Sequence, residues 1–133
     1  MHMEFHHLGW AVFSIEKAKA HFCAIGFVEE HAPIIDTLRN VRIAFLKNTV
    51  LSIEIIEPLS EKSPITKLLE KNGPSPYHAC FVAKMESKTD VTKFLKSKGF
   101  MPVSNAEPAP AIEEKKVQFF YSKEIGLIEI VYE

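Results

Sequence analysis

The chain repeats itself once, and that duplication limits it more than any single motif does. His7-Leu8-Gly9-Trp10-Ala11-Val12 holds the place in the first half that His78-Ala79-Cys80-Phe81-Val82-Ala83 holds in the second, and each runs into a helical stretch ending at Gly26-Phe27 or Gly99-Phe100. Further on, Val41-Arg42-Ile43-Ala44-Phe45-Leu46 answers Val117-Gln118-Phe119-Phe120-Tyr121-Ser122, and Ile53-Glu54-Ile55-Ile56 answers Ile128-Glu129-Ile130-Val131. The offsets are 71, 73, 76 and 75 residues in turn. A period of about half the chain means a duplicated module and not a solenoid. With 133 residues the chain can build one compact core, so we expect one domain of two modules: 1–58, a connecting helix over 60–73, and 75–133.

Each module reads as strand, helix, then three strands. In the first, residues 5–12 alternate as a strand does, and Ile15, Ala18, Phe22 and Ile25 fall three or four apart, the stripe of an amphipathic helix. Ser14 is placed to cap that helix and Gly26 to end it. Strands follow at 27–35, 41–47 and 49–57, the last two joined by a tight turn at Lys47-Asn48-Thr49. Ser63-Pro64 opens the connecting helix, and Gly73-Pro74 stops it. The second module has a strand at 77–84, a helix at 88–98, and strands at 100–104, 116–121 and 127–132. Asn105 to Lys115, holding Pro108 and Pro110 with Pro102 just ahead, is the most loop-like segment. Such a module cannot cover both faces of its sheet alone. The expected fold is therefore α+β, two paired β-α-β-β-β modules sharing a concave, ligand-binding surface.

Alternation puts Ser52, Glu54 and Ile56 on one sheet face and Ile53 and Ile55 on the other, and Glu129 repeats the pattern between Leu127 and Val131. A carboxylate among apolar neighbours costs several kcal/mol if ionised and unpaired, a cost that a cation offsets. Taken singly, a strand histidine or glutamate is most often a packed or solvated group. Surface residues, however, have no reason to recur in register. His7, Glu54, His78 and Glu129 are therefore the candidate ligands of a divalent metal, and with nitrogen and oxygen donors but no thiolate, Co²⁺, Ni²⁺, Zn²⁺, Mn²⁺ and Mg²⁺ are all admissible. Glu129, or Glu54 by near-symmetry, is the candidate base for a proton next to a metal-chelated carbonyl. His6 points to the opposite face from His7, and His2, His21 and His31 have no counterparts in the other half and read as surface residues.

A net charge of −1 with no basic run points away from nucleic acid and towards a small-molecule substrate. The longest apolar stretches are of strand length, and no charged leader precedes them, so we expect no membrane span and a cytoplasmic protein. Cys23 and Cys80 fall in different modules without paired spacing and read as reduced packing residues.

His6-His7-Leu8-Gly9, Ile53-Glu54-Ile55-Ile56-Glu57-Pro58, Ser63-Pro64-Ile65 followed by Leu68-Leu69-Glu70-Lys71-Asn72-Gly73, Tyr77-His78, Lys116-Val117 and Gly126-Leu127-Ile128-Glu129 resemble the vicinal oxygen chelate (glyoxalase, bleomycin resistance and dioxygenase) superfamily over the whole chain. Among its branches they most resemble the methylmalonyl-CoA epimerases, the Ser-Pro-Ile linker being the most branch-specific part. The resemblance implies a glyoxalase-like fold, a divalent ion held by His7, Glu54, His78 and Glu129, enolising chemistry on an acyl thioester, and a homodimer. It leaves two alternatives open, a glyoxalase I (lactoylglutathione lyase) and a non-catalytic binder of the bleomycin-resistance type. Two departures bear on substrate. The epimerases carry a glutamate base just before the third strand of the first module, where Leu38 stands here, and Asp36 could replace it only if the loop shifts. The glutathione-binding arginine and asparagine of glyoxalases fall at Ala11 and Pro58. Arg39 and Arg42, the chain's only arginines, are candidate contacts for an anionic group of the substrate.

Overall fold

A computed structural model of the chain describes residues 1–84 and 87–133. The described residues fall into two compact units, one of His7–Tyr77 and the other of Met1–His6 with His78–Glu133.

The first unit holds β1 (Glu4–Ala11, whose first residues belong to the other unit), α1 (Ile15–Ala24), β2 (Val28–Asp36), β3 (Val41–Lys47), β4 (Ser52–Pro58) and α2 (Thr66–Asn72). Its strand order is β2-β3-β4-β1. β1 runs parallel to β4, with Gly9 beside Glu54, and β3 runs antiparallel to β4, with Phe45 opposite Glu54. α1 starts where the Ser14 hydroxyl accepts the Lys17 N–H at 3.3 Å, and the Glu57 carboxylate accepts the Ile15 N–H at 2.8 Å. Two of the free N–H groups of the first turn are thereby met, one of them by a charge of the sign that a helix N-terminus favours. α1 then lays Ile15, with Ala18 and Phe22, on the face of the sheet carrying Ala44, Leu46, Ile53 and Ile55. Burying a side chain of this size contributes ~1.5–3 kcal/mol, so this face fixes the orientation of the helix. Ile25, the fourth residue expected on the stripe, is instead the C-cap and is 73% exposed, because the chain must turn at Gly26 (φ +108°) before β2 begins.

The second unit holds β5 (Ser75–Ala83, whose first residues belong to the first unit), α3 (Lys88–Ser97), β6 (Met101–Pro102), β7 (Glu107–Ala109), a 3₁₀ turn (Pro110–Ile112), β8 (Lys115–Ser122) and β9 (Gly126–Tyr132). The order is β5-β9-β8-β6, and β7 also pairs with β8. The first unit's plan recurs. β5 is parallel to β9 with Cys80 beside Glu129, β8 is antiparallel to β9 with Phe119 opposite Glu129, and α3 packs Val91 and Leu95 on Phe120, Ile128 and Ile130. The fold is α+β, as the sequence predicts.

Several boundaries differ from expectation for identifiable reasons. The turn before β4 runs to Leu51, because the Asn48 side chain accepts the N–H groups of both Val50 and Leu51. Only Thr66–Asn72 of the connecting segment is helical, since Ser60 holds the chain ahead of it in turns through Asn40, Lys62 and Thr66. The strand expected at 100–104 shrinks to Met101–Pro102, and the loop-like stretch after it contributes β7. Cys80 is fully buried, but Cys23 is exposed on α1 and is no packing residue.

Candidate metal centre

In the first unit, His7 projects from β1 to the face of the sheet away from α1, the face shared by Glu54 on β4 and Phe45 on β3. His7 Nε2 lies 3.4 Å from Glu54 Oε1, and the two residues are 0% and 3% exposed. In the second unit, His78 on β5 and Glu129 on β9 lie on the face away from α3, again with Nε2 and Oε1 3.4 Å apart, at 4% and 3% exposure. Each pair joins the first and last strands of its half across a parallel ladder, so neither residue can slip by one position without turning its whole strand to the other face.

A separation of 3.4 Å is long for a hydrogen bond. It suits two neighbouring ligands of one ion, because bonds of ~2.1 Å meeting at angles between square and tetrahedral leave the donor atoms roughly 3.0–3.4 Å apart. Neutral imidazole nitrogen with carboxylate oxygen is also a donor set that first-row divalent ions accept. The residues present therefore fit a divalent metal. An aromatic ring completes each pair, Phe45 standing against His7 and Phe119 against His78. Neither phenylalanine stands out in the sequence, whose repeat aligns Phe45 with Tyr121. The registers show the equivalence to be Phe45 with Phe119, an offset of 74, two residues from the sequence alignment.

The remaining candidates are placed as follows. Asp36, 1% exposed, accepts the Arg39 N–H at 3.1 Å and its guanidinium at 2.9 Å, and so braces the β2–β3 turn. Leu38 is exposed in that turn. Arg42 meets Glu16 at 2.8 Å and Glu57 at 3.5 Å; the guanidinium hydrogen bond holds the Glu16 carboxyl below its ordinary value. Both arginines thus already face carboxylates of the chain. His2, His21 and His31 are exposed, as expected of residues without counterparts. Among the described residues, no helix is long and apolar enough to cross a membrane.

A family model covers residues 6–119, described as the glyoxalase/bleomycin resistance protein/dioxygenase superfamily. The chain belongs to that superfamily. It is 32% identical over 83 residues to the uncharacterized protein YqjC of Bacillus subtilis, a match spanning 62% of this chain and 59% of that protein. It is 29% identical over 127 residues to an ethylmalonyl-CoA/methylmalonyl-CoA epimerase of Cereibacter sphaeroides, covering 93% of each. Among solved structures, a hypothetical protein of Bacillus halodurans, BH1468, superposes with a TM-score of 0.85 at 27% identity, over 100% of this chain and 96% of the other. The methylmalonyl-CoA epimerase of Mycobacterium tuberculosis superposes with a TM-score of 0.82 at 25% identity, over 97% and 87%.

Proposed function

We propose that this protein is a divalent-metal-dependent isomerase or epimerase that removes a proton next to a carbonyl, acting on an acyl-CoA thioester of the methylmalonyl-CoA kind. The observation that carries the proposal is the twice-built, buried His–Glu pair: His7 with Glu54 and His78 with Glu129. Two such pairs amount to two imidazoles and two carboxylates, a donor set that divalent ions accept. In this reading the two halves act as one functional domain and both contribute ligands to a single ion. The epimerase named among the relatives supports the substrate class.

A bound divalent ion would act as a Lewis acid on the substrate carbonyl, lowering the barrier to loss of the neighbouring proton. The chain supplies the rest. His7 and His78 offer neutral nitrogen donors from rigid strands, so the ligand positions are set before anything binds. Glu129, with Glu54 as its near-symmetric counterpart, takes the proton at a carboxylate oxygen. A second carboxylate of the same kind in the other half provides what epimerisation needs, an acid on one face of the planar carbanion and a base on the other. Asp36 is not used, because both its oxygens are engaged by Arg39, and Leu38 has no proton acceptor.

The test is elemental analysis of the purified protein together with His7→Ala and Glu129→Gln, then deuterium uptake from solvent at C2 of methylmalonyl-CoA. We expect about one divalent ion per chain, weakened or lost in both variants, and deuterium uptake reduced on the order of 10²–10⁴-fold in Glu129→Gln. Unchanged metal content in both variants removes the proposed site. Turnover of methylglyoxal with glutathione, and none of the acyl-CoA, moves the activity to the lyase branch.

A further inference from the structure

The same aromatic contact is built twice. In the β3/β4 register Phe45 is the direct partner of Glu54, and in the β8/β9 register Phe119 is the direct partner of Glu129. The Phe45 ring lies 5.1 Å from that of His7 at an interplanar angle of 86°, and the Phe119 ring lies 5.3 Å from that of His78 at 88°. Each half thus presents a three-membered set on one sheet face: an imidazole, a carboxylate across the parallel ladder, and a phenyl across the antiparallel one. Agreement this close between halves with little residue-by-residue identity is unexpected for core filling. Elsewhere the halves pack different side chains at equivalent positions, as with Gly9 and Cys80 beside the two glutamates.

A perpendicular phenyl acts on an imidazole in two ways. It occupies volume that the ring would sweep in turning about its Cβ–Cγ bond, a torsion that is otherwise broad. Its quadrupole also favours an edge-to-face over a face-to-face arrangement. Both effects fix the plane of the imidazole, and the plane sets where Nε2 points. Ligating histidines are commonly oriented by a hydrogen bond to the other ring nitrogen, and loss of that partner typically weakens metal binding 10–100-fold. We propose that Phe45 and Phe119 are positioning residues that do this by packing, each locking one histidine so that its Nε2 stays turned to the carboxylate. The inference rests on the metal-dependent reading above.

Phe120 supplies the control. It neighbours Phe119 in β8 but points to the opposite face, fully buried in the cluster with Val91 and Leu95 of α3. The variants are Phe45→Leu, Phe119→Leu and Phe120→Leu, with Co²⁺ alone as the probe. Affinity is read by competition with a chromophoric chelator, and imidazole ¹⁵N resonances are read in the metal-free protein. We expect Co²⁺ binding about ten-fold weaker in Phe45→Leu and in Phe119→Leu. In Phe120→Leu we expect lower thermal stability, with Co²⁺ affinity within about two-fold of the parent. The His7 resonances should pass from one well-defined state to exchange-broadened signals in Phe45→Leu, and those of His78 should do so in Phe119→Leu. Parent-like affinity in both phenylalanine variants, or an equal loss in Phe120→Leu, overturns the proposal. Should the parent take up no Co²⁺, the metal-dependent reading fails, and the metal-free spectra still decide this one: unchanged imidazole signals in both variants refute it.

Discussion

Asp36 shows how a residue of the right chemistry, two positions from a family's base, serves a different end. Its carboxylate is 1% exposed and takes both the backbone N–H and the guanidinium of Arg39. Rotating it out to meet a substrate would break two charge-assisted bonds, one of them to the Arg39 guanidinium. Asp36→Asn keeps an acceptor for the N–H but loses the charge, so we expect a loss of about 1–3 kcal/mol in urea denaturation. Deuterium exchange per folded molecule should stay within a few-fold of the parent, whereas a loss of several hundred-fold with the fold intact would make Asp36 the base after all. The four histidine and glutamate positions were legible in the sequence because they recur at matched places. Phe45 and Phe119 were not. Phenylalanine in an apolar strand carries no chemical mark, and only the strand register reveals its partners.

The helices illustrate which local signals suffice. α1 and α3 each follow a serine that caps them, Ser14 to the Lys17 N–H and Ser87 to the Asp90 N–H, and each hands the chain on through a glycine of positive φ, Gly26 at +108° and Gly99 at +91°. Among the described residues, no heavy atom beyond the adjoining residues lies within 4 Å of a Cβ placed on either glycine. The cost of Gly26→Ala or Gly99→Ala is therefore one of backbone conformation alone, about 1–2 kcal/mol, visible as a lower denaturation midpoint with no change in slope. Ser14→Ala should cost ~1 kcal/mol by the same measurement. These signals are local, which is why both helices could be placed from sequence to within a residue or two. β7 could not be. Glu107 to Ala109 is a strand only because it pairs with Lys115 to Val117, and its proline-containing sequence has no period to betray that pairing. The helix expected from residue 60 fell short for a related reason. The Asn40 side chain, 20 residues away, donates to the Ser60 hydroxyl, and the Thr66 hydroxyl donates to the Ser60 carbonyl, so both compete with helical bonding there.

At the scale of the whole chain, the duplication makes a claim about stoichiometry. Each half carries one His–Glu pair on the sheet face away from its helix, and a pair alone fills only two positions around an ion. One shared ion and two separate ions therefore predict different behaviour. A ligand that binds only the folded chain stabilises it by RT ln(1 + [L]/Kd), ~2.7 kcal/mol at a hundred-fold excess over Kd. For a chain of 133 residues this raises Tm by roughly 8–10 °C, and excess chelator should reverse it. If a single ion is held by both halves, His7→Ala and His78→Ala each remove most of that rise, and the double variant loses nothing more: the two substitutions couple strongly although they lie in different halves. If each half held its own ion, each single variant would keep one equivalent of metal and part of the rise, and the losses would add. Differential scanning calorimetry of the four proteins with and without Co²⁺, alongside metal content by elemental analysis, separates the cases. Additive losses would leave two weak two-ligand sites in place of one enolising centre, too few donors on either ion to hold it against a chelating substrate.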